Sequence, residues 1–204
     1  MSQLIIDYQT LIDRYKDYSN PREKISKLIK QEKIIRVKKG LYIDAEIYKT
    51  NQIPMEVLAN LIYGPSYISF EYALSYYGFI PEKVHTITSA TLGRSRLYKT
   101  QIGTFSYKMI NPKAYPIGID LIDTAYGSYH IASPTKAISD KIVYETRIRF
   151  QSKKKMKAYL FEDLRIDEEA LTLIDNTILM QITKAYKSSK LKYLSELVEE
   201  LNGK

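Results

Sequence analysis

Eight side chains suited to a polyanion crowd into one short stretch: Lys24, Ser26, Lys27, Lys30 and Gln31, then Arg36, Lys38 and Lys39. Lysine and arginine displace condensed counterions from phosphates, a salt-sensitive gain that is blind to base sequence. Serine and glutamine can exchange hydrogen bonds with base edges, where sequence is read. Arg22 and Tyr42 flank the stretch and complete the candidate DNA-binding set. From Arg14 to Lys39, ten Lys/Arg stand against Asp17, Glu23 and Glu32, a local net charge of +7; over 1–44, Asp7, Asp13 and Asp44 lower it to +4. The whole chain of 204 residues carries 31 basic and 23 acidic side chains, net +8, which favours polyanionic partners, and the cluster says where they would bind.

Other chemistries are poorly supported. Ser133-Pro134-Thr135-Lys136 fits the S-x-x-K nucleophile pattern, but no S-D-N or K-T-G companion follows, so Ser133 reads as a helix N-cap. Gly127-Ser128 with Asp140 downstream faintly suggests a nucleotidyltransferase, yet the paired carboxylates that hold two metal ions in such sites are missing. Asp120 and Asp123 on a predicted strand point to opposite faces. His85 and His130 have no metal-ligand spacing. With no cysteine, disulfides, thiolate zinc and a cysteine nucleophile are excluded, and a reducing compartment fits. The expectation is a non-enzymatic protein without cofactor or metal. Arg94 and Arg96, in a loop after a predicted strand, are assigned to a possible functional basic surface. Of the nineteen tyrosines, Tyr63, Tyr72, Tyr76 and Tyr77 lie at helical spacing and read as core or subunit contacts rather than base-stacking platforms. Lys153-Lys154-Lys155 reads as a solvated helix start and a secondary phosphate contact.

Positioning the basic cluster requires a particular order of elements. Leu4, Tyr8, Leu11 and Tyr15, with Ile5 and Ile12, predict a helix over about 3–17. Asn20-Pro21-Arg22-Glu23 marks a second helix start, running to about Glu32. Along it Ile25, Leu28 and Ile29 share one face, and Lys24, Ser26, Lys27, Lys30 and Gln31 the other. Ile34 to Ile43 reads as a hairpin turning at Lys39-Gly40. Helix, helix and basic hairpin make an abbreviated winged helix-turn-helix, which puts a helix in the major groove and a wing on the flanking phosphates. Residues 44–53 are polar and aperiodic and end before Pro54, which places a boundary between a winged-helix domain at 1–53 and a second domain at 54–204.

After Pro54 the pattern mixes helices and strands: a helix to Tyr63, a break at Gly64-Pro65, a short strand, and a helix at Ser69–Tyr77. Strands at Thr86–Ser89, Gly103–Ile110, Ile119–Asp123 and Tyr129–Ala132 follow, then a helix opened by Ser133-Pro134. Helices near 153–162, 167–186 and 190–202 form a tail. The expected class is α+β: an N-terminal winged helix-turn-helix plus a mixed α/β C-terminal domain with a helical tail. Neither a secretory leader nor a membrane span is recognisable, so the expected setting is cytoplasmic, with no membrane partner.

The chain resembles AbiEi-type antitoxins of bacterial abortive-infection systems, the type IV toxin–antitoxin class. The matching stretches are Ile35-Arg36-Val37-Lys38-Lys39-Gly40-Leu41-Tyr42, Tyr67 to Gly78 with Ile80-Pro81-Glu82, and Ile87-Thr88-Ser89 with Arg94 and Arg96. The Gly103-to-Tyr107 strand and Ile131-Ala132-Ser133-Pro134-Thr135-Lys136-Ala137 complete them, so the likeness covers about residues 3–145. The resemblance implies a winged helix that represses its own operon at promoter repeats and a C-terminal domain needed for antitoxicity. It also implies a nucleotidyltransferase toxin as functional partner, countered without a stable complex. Only about three residues separate the first predicted helix from Asn20, so the family's usual extra helix is missing or shortened. The leading reading is therefore a DNA-binding autorepressor and antitoxin. The alternative is a protein-interaction module that binds a toxin or other protein without sequence-specific DNA binding, and a third reading is an RNA-directed enzyme or tRNA-binding protein using Arg94, Arg96 and the tyrosines.

Overall fold

In the computed structural model, which describes residues 5–50 and 54–203, Ile5–Asp7 form a strand, β1, and the first helix, α1, spans Tyr8–Arg14. The helix expected over 3–17 is thus shorter, and its residues 3 and 4 lie outside the described residues. Asp7 is the reason: its backbone is extended and its carboxylate accepts from Thr10 N at 2.8 Å, an N-cap that starts the helix two residues after the isoleucines. Ile5 and Ile6, β-branched, pair instead with Ile43 and Tyr42 of a later strand. The second helix, α2 (Pro21–Lys30), begins where the Asn20-Pro21 signal sits, with Asn20 Oδ1 accepting from Glu23 N at 3.2 Å. A hairpin of β2 (Ile34–Lys38) and β3 (Leu41–Asp44) follows, turning through Gly40 at φ +86°, where a side chain would be strained. The three strands form one antiparallel sheet in the order β1-β3-β2.

Residues expected to be an irregular linker contain a helix, α3 (Ala45–Thr50), started by Asp44 Oδ1 accepting from Glu46 N and Ile47 N. Residues 51–53 of that linker lie outside the described residues. Next come α4 (Met55–Ile62), β4 (Ser66–Ile68), α5 (Phe70–Tyr76), β5 (Ile87–Thr91), β6 (Arg96–Thr100), β7 (Gly103–Met109), β8 (Ile119–Thr124), β9 (Gly127–Ala132) and α6 (Pro134–Tyr144). The strands make a second, mixed sheet ordered β6-β7-β5-β4-β9-β8. Strand β6 takes the place of the loop in which Arg96 was expected; it pairs antiparallel with β7 along the sheet edge. The tail contains α7 (Lys153–Ala158), a π-helical turn (Tyr159–Asp163), α8 (Glu168–Leu171), α9 (Asn176–Tyr186) and α10 (Ser189–Asn202). The single helix expected over 167–186 is two, separated by the turn that ends in Asp175, whose carboxylate accepts from Ile178 N and restarts the chain as α9. The class is mixed α+β, and among the described residues no helix is long and apolar enough to cross a membrane.

Register shows how the large sheet is covered. Tyr67 pairs with Ala90 and Ala90 with Lys108, so the neighbouring Tyr107 stands on the opposite face. Tyr107 Oη donates to Ala59 O of α4 at 2.6 Å, while Tyr67 Oη donates to Asp140 of α6 at 2.8 Å. Helices α4 and α6 therefore sandwich the sheet.

Asp140 sits at the heart of this layer with no exposure. It pairs with the equally buried Lys136 at 3.0 Å and accepts from Tyr67, Ser69 (2.8 Å) and Tyr186 (2.6 Å). Lys136 Nζ also donates to Ala114 O at 2.7 Å. Burial pulls the Lys136 ammonium below its ordinary value while Asp140 opposes this, and burial raises the phenols of Tyr67 and Tyr186 far above theirs. A second ionic knot begins at the next residue: Lys141 bridges Glu71 at 2.8 Å and Glu145 at 2.9 Å, and Arg147 also reaches Glu145.

Removing one partner of a buried pair leaves an uncompensated charge. Asp140→Ala should cost about 3–5 kcal/mol in urea unfolding, and Tyr186→Phe, which leaves the ion pair intact, about 1–2 kcal/mol. Equal small losses in both would show that the node is not cohesive. Hydrogen bonding from Arg147 and Lys141 holds the Glu145 carboxyl well below its ordinary value of 4.5. Its stabilisation is then fully present above pH 4.5 and is lost as pH falls through the depressed folded-state value. Glu145→Gln should lower stability at pH 7 and flatten its decline on the acid side, read from urea midpoints at several pH values.

Candidate nucleic-acid interface

Helix α2 divides its residues by face. Ile25 and Leu28 are buried with Ile6, Leu11, Ile34 and Tyr42 in a small core beneath α1 and α2. Arg22, Ser26, Lys27, Lys30 and Gln31 are exposed on the outside, as a groove-reading helix requires. Ser26 Oγ donates to Arg22 O at 2.9 Å, so its hydroxyl is partly engaged along the helix but keeps its lone pairs for an incoming donor. Lys27 pairs with Glu23 at 2.8 Å with both side chains largely in solvent. Such a pair is weak and screened by salt, so phosphate can displace Glu23. Lys24 is half-buried, with its ammonium 4.6 Å from the centroid of the Tyr18 ring, which ties it to the turn between α1 and α2.

The hairpin residues separate more sharply. In the register Ile5↔Ile43↔Ile35 and Ile6↔Tyr42↔Arg36, alternate residues face opposite ways. Ile43 and Ile35 turn toward the large core; Tyr42 and Arg36 turn toward the helices. Arg36 is exposed, but Tyr42 is only 5% exposed, packed in the small core with its ring centroid 6.1 Å from that of Tyr8. The expected contact of Tyr42 with DNA is corrected accordingly: its ring is structural. Lys38 follows an irregularity in the β2–β3 register and is half-buried, with Nζ donating to Ile62 O at 2.5 Å. Ile62 ends α4, so this cation sits on the negative end of a helix dipole instead of standing free at the turn. Lys39 beside Gly40 is exposed at the hairpin tip.

Arg94 and Arg96 are both exposed. Arg94 lies in the turn before β6, and Arg96 opens β6 with its guanidinium 5.9 Å from the centroid of the Tyr63 ring. Tyr63 directly follows Ile62, the residue that holds Lys38, so the edge of the large sheet and the base of the hairpin are neighbours. Nothing in the local sequence around Arg96 signals this; it depends on β7 entering between β5 and β6.

The remaining motifs fall elsewhere. Ser133 is the N-cap of α6, accepting from Lys136 N at 3.3 Å, and Lys136 is locked to Asp140. His85 and His130 are exposed, and among the described residues no group of three or more His, Asp and Glu could hold a metal ion. Lys153 pairs with Glu200 of α10. Tyr63, Tyr72 and Tyr77 are half-buried against the large core, and Tyr76 is exposed on α5. No protein-family model matches the chain, and no curated protein matches it.

Lys38 and Lys39, adjacent and of one type, should behave differently. Lys38→Ala should cost about 1–2 kcal/mol of unfolding free energy through the lost charged hydrogen bond. Lys39→Ala should stay within about 0.5 kcal/mol of wild type, as exposed substitutions do. Equal effects in urea unfolding would contradict this division.

Proposed function

We propose that this chain is a DNA-binding transcriptional regulator, an autorepressor whose first fifty residues act as a winged helix-turn-helix without the usual leading helix. The observation that carries the reading is the run β1-α1-α2-β2-β3 with the sheet ordered β1-β3-β2. That arrangement seats the apolar side of α2 on the sheet and leaves its basic side outward, beside a hairpin whose tip carries Lys39. In this reading α2 enters the major groove, with Lys30 and Gln31 near base edges and Arg22 and Lys27 toward the backbone, and the hairpin grips a flanking phosphate. In the same reading Arg94 and Arg96, both exposed, add basic groups at the edge of the large sheet. The resemblance to AbiEi-type antitoxins adds a second role for the C-terminal part: countering a nucleotidyltransferase toxin without a stable complex.

Fluorescence titration on duplex DNA from upstream of the gene, at several salt concentrations, tests the reading. Four phosphate contacts, from Arg22, Lys27, Arg36 and Lys39, give a slope of log affinity against log salt of roughly −4. Lys39→Ala should make that slope shallower by about one unit for every sequence, whereas Lys38→Ala should leave it unchanged. Gln31→Ala should alter the ranking of sequences by about 1–3 kcal/mol if Gln31 reaches a base edge. Absence of salt-dependent binding to duplex DNA would sink the regulator reading and leave the protein-interaction module in its place. Co-expression with a nucleotidyltransferase encoded beside the gene tests the antitoxin role: growth rescue that survives loss of DNA binding assigns it to the C-terminal part.

A further inference from the structure

The two outer strands of the large sheet, β6 and β8, belong to hairpins built alike. Thr100 ends β6 and Thr124 ends β8, and each hydroxyl donates to the carbonyl of the glycine that opens the next strand, Gly103 at 2.8 Å and Gly127 at 2.6 Å. Each threonine oxygen also accepts from the backbone N–H two residues on, that of Ile102 at 3.2 Å and that of Tyr126 at 3.1 Å. The likeness runs along both strands: Leu97 and Leu121 precede their threonines by the same interval, and each is 57% exposed. Among the described residues β6 pairs only with β7 and β8 only with β9, so each hairpin presents a row of backbone N–H and C=O groups on its outer side.

Charge is where the hairpins differ. Arg96 to Met109 contains Arg96, Lys99 and Lys108 and no acidic residue, giving +3, whereas Ile119 to Ala132 contains Asp120 and Asp123 and no Lys or Arg, giving −2. Arg96, Lys99, Asp120 and Asp123 are all exposed, and Asp123 Oδ1 accepts from Ser128 Oγ at 2.5 Å. Guarding an edge against pairing needs charge but no particular sign. Opposite signs do more: two β6 edges repel, two β8 edges repel, and a β6 edge attracts a β8 edge.

Direction and face also fit. Three antiparallel pairings lie between β6 and β8, so the two edge strands run in opposite directions. A second copy set beside the first with its helices on the same sides therefore meets it antiparallel, as a continuation of the sheet. Arg96 pairs with Tyr107, and Asp120 with Ile131, itself paired with Ile68; all of these lie on the α4 face. Lys99 and Asp123, each three residues on, lie on the α6 face with the two leucines. On each face, then, β6 offers one cation and β8 one carboxylate.

We propose that copies of this chain associate head to tail, the β6 edge of one continuing the sheet at the β8 edge of the next. Such a contact uses two different surfaces and leaves one of each unoccupied in a pair, so a third copy can add. It does not rest on the DNA-binding reading.

Sedimentation velocity of the full-length protein without DNA tests the contact. At low salt the average mass should rise with concentration past that of a dimer, with a dissociation constant of about 1 mM or tighter, the range of a small transient interface. Raising the salt to roughly 1 M should weaken association. Arg96→Glu with Lys99→Glu makes both edges acidic, Asp120→Lys with Asp123→Lys makes both basic, and each variant alone should associate about tenfold or more weakly. Mixed one to one, the two variants meet opposite charge at both edges and should recover association, which misfolded proteins would not do. Wild-type protein that stays monomeric up to about 1 mM overturns the proposal whether or not the variants fold. Undiminished association of either folded variant, or no recovery when the folded variants are mixed, would do the same.

Discussion

A carboxylate with no exposure to solvent has to be held by its surroundings, and Asp140 is held from four sides. Moving a carboxylate and an ammonium out of water costs several kcal/mol each, so the Lys136–Asp140 pair alone is a doubtful source of stability. Hydroxyl donors on Tyr67, Ser69 and Tyr186, and the Ala114 carbonyl accepting from Lys136, satisfy what the pair leaves open. Apolar residues of the same volume can match the energy of such an arrangement, but they lack its direction. Tyr67 and Ser69, two apart at the end of β4, must both face α6, and Tyr186 must bring the end of α9 onto the same helix. The node thereby sets the register of β4, the approach of the tail helices and the position of the 111–118 segment together. It also sits beside the one tight corner between β4 and α5, where Phe70 adopts φ +58°. A non-glycine residue in that region costs of the order of about 1–3 kcal/mol and persists only where its neighbours leave no choice.

The small N-terminal sheet depends on the large body in turn. One face carries α1 and α2 through Ile6, Ile34 and Tyr42; the other inserts Val37, Leu41 and Ile43 into the same apolar cluster as Val57, Leu58 and Ile62. Few buried residues belong to the small core alone, and a module of that size rarely stabilises itself. Contact with α4 supplies the missing burial, and Lys38 ties the hairpin to the end of that helix. A helix displayed for recognition gains precision when its platform is held by packing rather than by a flexible joint.

Local signals were legible in the sequence; long-range ones were not. Asn20-Pro21 and Ser133-Pro134 mark their helices because a cap acts within four residues, and both caps close as their sequences imply. Lys39-Gly40 marks its turn for the same reason. The apolar repeat through Ile5 and Ile6 misled because it fits a helix as well as a strand paired to β3, and only the partner strand some 35 residues away decides between them. Strand β6 escaped because it is an exposed edge, RLYKT, with little hydrophobic alternation to show. On the candidate interface, the basic face of α2 followed from spacing, whereas the burial of Tyr42 depended on register and the engagement of Lys38 on a carbonyl 24 residues away. The Lys136–Asp140 pair had a local trace in its i,i+4 spacing, but no local feature announces that the site would be buried.

Total charge is a poor guide to which cations can meet a polyanion, because several are used internally. Lys190 Nζ donates to the carbonyls of Ile142, Val143 and Glu145, where α6 ends. Lys38 does the same at the end of α4. In both cases an ammonium lies against the last turn of a helix, where unsatisfied carbonyls and the helix dipole favour positive charge. Lys136 and Lys141 are committed to buried carboxylates. A net charge of +8 therefore includes lysines whose field is already answered within the fold. Of the cations left facing solvent at the amino end, Arg22, Lys27, Lys30, Arg36 and Lys39 lie on one helix face and the adjoining hairpin, while Arg14, Lys16 and Lys33 lie outside both. It is this separation of structural from exposed lysines, rather than the excess itself, that gives the N-terminal surface a direction in which a polyanion could bind.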